Sequence, residues 1–143
     1  MTLEQIFNKQ ISNLAVLYFK LHNFHWFVSG KEFFTYHKLF EELYNEATEL
    51  VDQFAERLLS IKGTPVSTMK EFLQLSNISE GGKETCPVEI SKVLISDYST
   101  IVSALKEGIK VADDVNDTST SDLFTVTITS LEKHIWMLGQ VIK

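Results

Sequence analysis

The stretch TYHKLFEELYNEATELVDQFAERLLSI, Thr35 to Ile61, decides the fold of this chain. It contains neither Gly nor Pro over about seven helical turns. Apolar residues recur along it at a spacing of about 3.6 residues, the pattern of one face of an α-helix. The sequence therefore predicts one long amphipathic helix, whose apolar face is formed by Tyr36, Leu39, Phe40, Leu43, Ala47, Leu50, Phe54 and Leu58.

A polar strip runs along another side of this predicted helix. At about 100° per residue, six polar side chains fall close together on it: His37, Glu41, Asn45, Thr48, Asp52 and Glu56. None of the three carboxylates has a Lys or Arg four residues later, so the strip lacks ion pairs that stabilise a solvated helix by roughly 0.2–0.5 kcal/mol each. We expect either a partner surface or a cation to supply the missing positive charge.

The composition of the chain predicts a single domain, 1–143, and limits its partners. A net charge of −6, with Lys and Arg scattered, disfavours DNA binding, because phosphate neutralisation drives that affinity. The single cysteine, Cys86, excludes an internal disulfide and is typical of a reducing compartment. No apolar run approaches the ~20 residues of a membrane span, and the N-terminus lacks signal-peptide features. We therefore expect a cytoplasmic protein that does not contact membranes.

The rest of the chain predicts further helices and one long connection. The segment Lys62–Cys86 is too long for a simple hairpin and favours a crossover between two parallel neighbouring helices. Ser119, with Asp122 three residues on, resembles a capping box for the last helix. The prediction is an all-α four-helix bundle with a short extra helix in the crossover, and its remaining helices are Leu3–Val28, Met69–Leu75, Pro87–Ala112 and Ser121–Val141.

The polar strip has the spacing of a metal site that one chain cannot complete. Asp52 and Glu56 are one turn apart, so both carboxylates can reach one cation, and with an imidazole they suit iron, manganese or zinc. His37 lies fifteen residues before Asp52, about 22 Å away along the axis. If the strip binds metal, two copies of the helix must cross about a two-fold axis and form two equivalent sites. A pair of acids on a solvated helix remains the alternative, as does a core histidine for His25.

Four segments of this sequence resemble the Dps family, the mini-ferritins of the ferritin-like superfamily. The resemblance spans nearly the whole chain, and its most specific feature is His-x-x-His-Trp followed by Asp-x-x-x-Glu-Arg. The matching segments are LHNFHWFVSG (Leu21–Gly30), FFTYHKLFEELYNE (Phe33–Glu46), VDQFAERLLSIKGTPVSTMKEFL (Val51–Leu73) and KHIWM (Lys133–Met137).

The resemblance implies a ferritin-like four-helix bundle that assembles into a hollow homododecamer. It implies a ferroxidase that oxidises Fe(II) to Fe(III), preferably with hydrogen peroxide, stores the iron mineral inside the shell and protects against oxidative stress. It also implies iron centres across the two-fold interface. There His25 and His37 of one subunit bind iron together with Asp52 and Glu56 of its partner.

The resemblance also assigns less specific positions. Trp26 matches a tryptophan near the iron centre and becomes a candidate electron donor, although an amphipathic ring packed at the interface explains it equally well. Glu41 is a candidate additional ligand, whereas His22 and His134 are interpreted as structural. Family members have acidic pores through which iron enters, and the resemblance places three acids of this chain there: Asp113, Asp117 and Asp122. The alternative interpretation of these residues is a solvated turn with helix caps.

Two other functions compete with the ferroxidase interpretation. One is a shell that compacts DNA without important oxidase activity, but family members that bind DNA commonly use Lys-rich terminal extensions, and none is visible here. The other is a purely structural helical oligomer in which the polar strip is only an interface.

Overall fold

The computed structural model describes Met1–Lys143 as five helices without a strand. None of the helices combines the length and the apolar composition needed to cross a membrane. The sequence prediction of four long helices and one short one is confirmed. The helices are α1 (Leu3–Phe27), α2 (Phe33–Ser60), α3 (Met69–Leu75), α4 (Pro87–Asp114) and α5 (Thr118–Ile142).

The long connection between α2 and α4 is a crossover along the length of the bundle. It begins beside the first turns of α1, where Glu4 accepts a hydrogen bond from the Thr64 N–H at 2.6 Å. It ends beside the last turn of α1, where the Ser29 N–H donates to the Thr85 carbonyl at 2.9 Å. Since α4 therefore starts where α1 ends, α4 runs antiparallel to α1 and parallel to α2. This confirms the predicted crossover between parallel helices.

The apolar faces of the four long helices, including the predicted face of α2, form one continuous core. Its centre is a cluster of three fully buried rings from α1, α2 and α5, with the Phe7 centroid 5.8 Å from Phe54 and 5.0 Å from Phe124. Gly108 on α4 lies directly against Phe124, since a Cβ at this position would come within 2.8 Å of the ring. The core thus requires a residue without a side chain at that crossing of α4 and α5.

Polar side chains connect the two helical hairpins, α1–α2 and α4–α5. Lys20 on α1 and Asp97 on α4 form a buried ion pair at 2.7 Å. Burial raises the pKa of Asp97, although the Lys20 ammonium opposes this shift. Arg57 on α2 donates to Asp117 at 2.8 Å and to the Thr120 hydroxyl at 3.0 Å, next to the start of α5. These contacts fix how the hairpins pack and hence where α2 presents its polar strip.

The turn between α4 and α5 differs from the sequence prediction. The sequence predicts a turn between helices that end at Ala112 and begin at Ser121, but α4 continues to Asp114 and α5 begins at Thr118. The cap of α5 is Asp117, whose carboxylate accepts from the Thr120 N–H at 3.0 Å, so the predicted Ser119 capping box is wrong. Asp117 is the cap residue in place of Ser119 because its carboxylate also pairs with Arg57, a contact that local sequence does not reveal.

Candidate metal centre

The loop between α1 and α2 brings His25 and His37 into direct contact. His25 lies near the end of α1 and His37 in the second turn of α2, and their imidazole rings stack at 3.7 Å with an interplanar angle of 13°. Their hydrogen bonds are reciprocal. His25 Nδ1 lies 2.6 Å from the His37 carbonyl oxygen, and His37 Nδ1 lies 2.7 Å from the His25 carbonyl oxygen. The two rings therefore fix each other's position.

These two hydrogen bonds also define which ring nitrogen carries the proton. A backbone carbonyl can only accept, so each Nδ1 must be the donor and must be protonated. In the neutral rings, both Nε2 atoms then keep a free lone pair. Metal-binding histidines characteristically use one ring nitrogen for the metal and donate the other N–H to a carbonyl or carboxylate. Each ring of the pair therefore carries its proton on Nδ1 and has Nε2 available to bind a metal.

The surroundings of the pair separate a buried side from an open one. His25 is only 7% exposed, and Phe33 stacks on the His37 ring at 4.9 Å. Glu41, one turn after His37 on α2, places a carboxylate oxygen 4.0 Å from His25 Nε2 and remains half-exposed. The additional acid predicted from the sequence thus lies on the side of the pair where a metal would be bound.

Asp52 and Glu56 lie on the same helix but do not reach the histidine pair. Both are exposed, and neither carboxylate forms an ion pair within the chain. Because α2 is continuous from Phe33 to Ser60, Asp52 and His37 are about 22 Å apart along its axis. No group of three or more His, Cys, Asp or Glu side chains within one chain is arranged to hold a metal ion. The chain brings His25 and His37 into contact. It holds Asp52 and Glu56 away from these two histidines.

The remaining predicted site residues are divided between surface and structural positions. Trp26 is 59% exposed, and its ring contacts His22 at 5.4 Å. Asp113, in the last turn of α4, and Asp122, in the second turn of α5, are exposed. Asp117 is different, because it caps α5 and pairs with Arg57. Burial alone would raise the pKa of Asp117. Hydrogen bonds from Thr120 and Arg57, together with the guanidinium charge, outweigh burial and hold the pKa of Asp117 below its usual value.

A second polar cluster links α2 to α5 and was not expected from the sequence. Glu46 accepts from the Ser130 hydroxyl at 2.6 Å and lies 3.0 Å from His134 Nε2. Burial raises the pKa of Glu46, but the bonds to His134 and Ser130 outweigh it and leave the pKa lowered. Glu46 and His134 are 88 residues apart, so only the packing of the two hairpins reveals their contact. From the sequence, His134 is interpreted as structural, and Glu46 is assigned no role.

Comparison with known proteins identifies the family of this bundle. The ferritin family, described as "Ferritin-like domain", matches residues 4–143. The chain is 45% identical over 134 residues to DNA protection during starvation protein 2 of Bacillus anthracis, covering 94% of this chain and 92% of that protein. The crystal structure of Dps from Staphylococcus aureus superposes with a TM-score of 0.95 at 39% identity, over 99% of this chain and 95% of that one.

A third relative is a solved structure at lower sequence identity. The Dps protein of Vibrio cholerae O1, described as a member of a broad superfamily of ferritin-like diiron-carboxylate proteins, superposes with a TM-score of 0.95. It is 28% identical, over 99% of this chain and 89% of that one. The chain therefore belongs to the ferritin-like family and, within it, to the Dps proteins.

Proposed function

We propose that this protein is a ferroxidase that oxidises Fe(II) with hydrogen peroxide and stores the ferric mineral inside a shell of twelve copies. The observation that carries the proposal is the reciprocal hydrogen bonding of His25 and His37, which leaves two Nε2 lone pairs available as ligands. The diiron-carboxylate description of the Vibrio cholerae relative supports the same chemistry.

The complete centre needs two copies of the chain. His25 and His37 come from one subunit, and Asp52 and Glu56 come from the subunit related by a two-fold axis. The continuous helix α2 carries His37 and Asp52 about 22 Å apart, so an antiparallel crossing of two such helices forms two equivalent centres. Glu41 is positioned beside each centre as a further carboxylate.

The ligand set favours the oxidised metal. Two neutral imidazoles and two carboxylates contribute a charge of about −2, which stabilises Fe(III) more strongly than Fe(II). Each peroxide takes one electron from each of two Fe(II) ions and, with two protons, becomes two molecules of water. Because both electrons are supplied together, no hydroxyl radical is released, and this accounts for protection against oxidative stress.

Iron entry follows from the charge of the assembly. Twelve copies would carry a formal net charge of −72, twelve times the −6 of one chain, and such a field attracts cations. Asp113 and Asp122 are exposed and free to line an entry pore, with Asp117 beside them. The one cysteine, Cys86, forms no disulfide, which supports a reducing compartment such as the cytoplasm.

The test is anaerobic loading with Fe(II) followed by addition of peroxide. We expect ferric absorbance to grow much faster with the protein than in protein-free buffer, and His37→Ala to abolish the difference. Glu49→Ala, an exposed acid on the same helix outside the site, is the matched control and should keep the wild-type rate. Equal rates with and without the wild-type protein would refute the ferroxidase function, and light scattering checks the twelve-subunit mass.

A DNA-compacting shell is the competing function, suggested by the name of the Bacillus anthracis relative. The acidic charge of this chain opposes direct DNA binding, and removal of iron and peroxide protects DNA without contact. A gel-shift assay at low salt separates the two functions. We expect no retardation of duplex DNA by the intact shell.

A further inference from the structure

A chain of aromatic rings in contact runs from the candidate iron ligands to an exposed tryptophan. The Tyr44 ring meets His25 edge-on, with centroids 5.3 Å apart and an interplanar angle of 88°. On its other side, Tyr44 stacks on His22 at 3.7 Å and 19°. His22 in turn lies 5.4 Å from Trp26. Tyr44 therefore lies between the candidate ligand His25 on one side and the rings of His22 and Trp26 on the other.

The rings of this chain are held in place by their neighbours. His22 Nδ1 lies 2.8 Å from the Tyr18 carbonyl oxygen one turn earlier, which fixes the imidazole against Tyr44. The Tyr18 ring contacts His22 at 4.6 Å and Tyr44 at 5.8 Å. Tyr18 thus supports the ring chain from the side, but it makes no ring contact with the candidate ligands His25 and His37.

Among the tyrosines and tryptophans, Tyr44 alone has a ring in contact with a candidate ligand in the same chain. Trp26 follows His25 directly in sequence, but consecutive side chains of a helix point about 100° apart. The ring contact of Trp26 is accordingly with His22 and not with His25. Electrons from Trp26 would reach the centre within one chain by way of His22 and Tyr44.

We propose that Tyr44 is the immediate electron donor to the iron centre when peroxide arrives while only one Fe(II) is bound, and that Trp26 then reduces Tyr44. This inference rests on the proposed ferroxidase function and adds a residue to it. With two Fe(II) ions bound, both electrons for peroxide come from iron. With one Fe(II) bound, the second electron must come from the protein, or a hydroxyl radical is formed.

The step balances with Tyr44 as donor. One Fe(II), one H₂O₂, one proton and the Tyr44 phenol give one Fe(III), two molecules of water and the neutral tyrosyl radical. The phenol loses an electron and its hydroxyl proton, and the O–O bond of the peroxide breaks. The Tyr44 side chain is partly exposed, so solvent water can carry that proton. Trp26 then gives up one electron and its indole proton, which restores the phenol and moves the radical to the exposed ring.

The experiment assembles shells with one Fe(II) per centre, adds excess peroxide and records freeze-quenched electron paramagnetic resonance spectra. A spin trap for hydroxyl radical is used in a parallel sample. We expect a protein radical in the wild type, its loss in Tyr44→Phe with increased trapping of hydroxyl radical, and a persistent tyrosyl radical in Trp26→Phe. Tyr18→Phe is the matched control, because it removes a hydroxyl next to the same rings, and it should behave as wild type.

A second measurement separates failure of this inference from failure of the proposed function. With two Fe(II) per peroxide, Tyr44→Phe should form Fe(III) at the wild-type rate, because the ring and its contacts remain. If the wild type forms ferric product but Tyr44→Phe gives an unchanged radical yield, Tyr44 is not the donor. The same conclusion holds if Tyr18→Phe loses the radical equally. If the wild type forms no ferric product, the ferroxidase function fails, and this inference fails with it.

Discussion

Mixing two inactive variants should restore a defined fraction of the iron centres. In His37→Ala the imidazole half of each centre is damaged, and in Asp52→Ala the carboxylate half is damaged. The two positions are about 22 Å apart on one continuous helix, so a centre that uses both must draw them from different chains. Each variant alone therefore has no intact centre, whereas a mixed dimer can have one.

The size of the rescue follows from the two-fold symmetry. If equal amounts of the two variants pair at random, about half of the dimers contain one copy of each. In such a dimer, one centre combines both damaged halves and the other combines both intact halves. About one quarter of all centres should therefore be intact. A site within a single chain would predict no rescue.

The assay coexpresses the variants with different affinity tags, isolates shells that carry both tags and follows ferric absorbance after peroxide addition. A matched control mixes His25→Ala with His37→Ala, which damage the same half-site. No mixed dimer of these two can rebuild an intact pair, so no rescue is expected. Activity of His37→Ala with Asp52→Ala shells no higher than the average of the two parents would refute the shared centre, as would rescue in the control.

Substitutions at three further positions test the fold that positions the site. Gly108→Ala places a Cβ 2.8 Å from the Phe124 ring, and the overpacking should cost about 1–3 kcal/mol and lower the melting temperature. Glu46 has a lowered pKa, so its carboxylate stabilises the fold fully above its usual pKa of 4.5, and this contribution is lost as the pH falls through the lowered value. Melting curves should therefore show Glu46→Gln less stable than wild type at pH 7, with the difference shrinking in acid. Asp117→Ala should cost about 1–2 kcal/mol by removing the cap and the Arg57 ion pair, whereas Asp117→Asn keeps the cap and should cost less. Equal losses in the two Asp117 variants would show that the ion pair outweighs the cap.

Helix positions and topology were predictable because they depend on local and periodic signals. The short helix α3, Met69–Leu75, has the predicted bounds, since Thr68 caps its first turn through the Glu71 N–H. The crossover was predictable from its length alone, because a connection of that size can return along the bundle to a parallel helix. Periodicity also identified core residues of α2, since Phe40, Phe54 and Leu58 are completely or almost completely buried.

Features that depend on contacts between distant elements were not predictable. The composition of Asp113–Asp122 favours a turn, yet both helices extend into it, because Arg57 from α2 holds the cap residue Asp117 in place. The pairing of Glu46 with His134 likewise depends on how two hairpins pack. Periodicity specifies which face of a helix is buried, but it does not specify which polar residue on another helix will lie opposite.

The candidate centre likewise combines a feature that helix geometry predicts with a feature that depends on tertiary contacts. Helix geometry alone separated His37 from Asp52, but the orientation of the two imidazoles depends on hydrogen bonds to each other's backbone carbonyls. His25 and His37 are therefore held in place by contacts within one chain, while Asp52 and Glu56 are exposed on the surface of α2. In the proposed centre, the nitrogen ligands of one subunit and the solvated carboxylates of the other would make assembly the step that completes the metal site. Under the proposed function a single chain has no complete set of ligands, so iron oxidation is expected only in assembled protein.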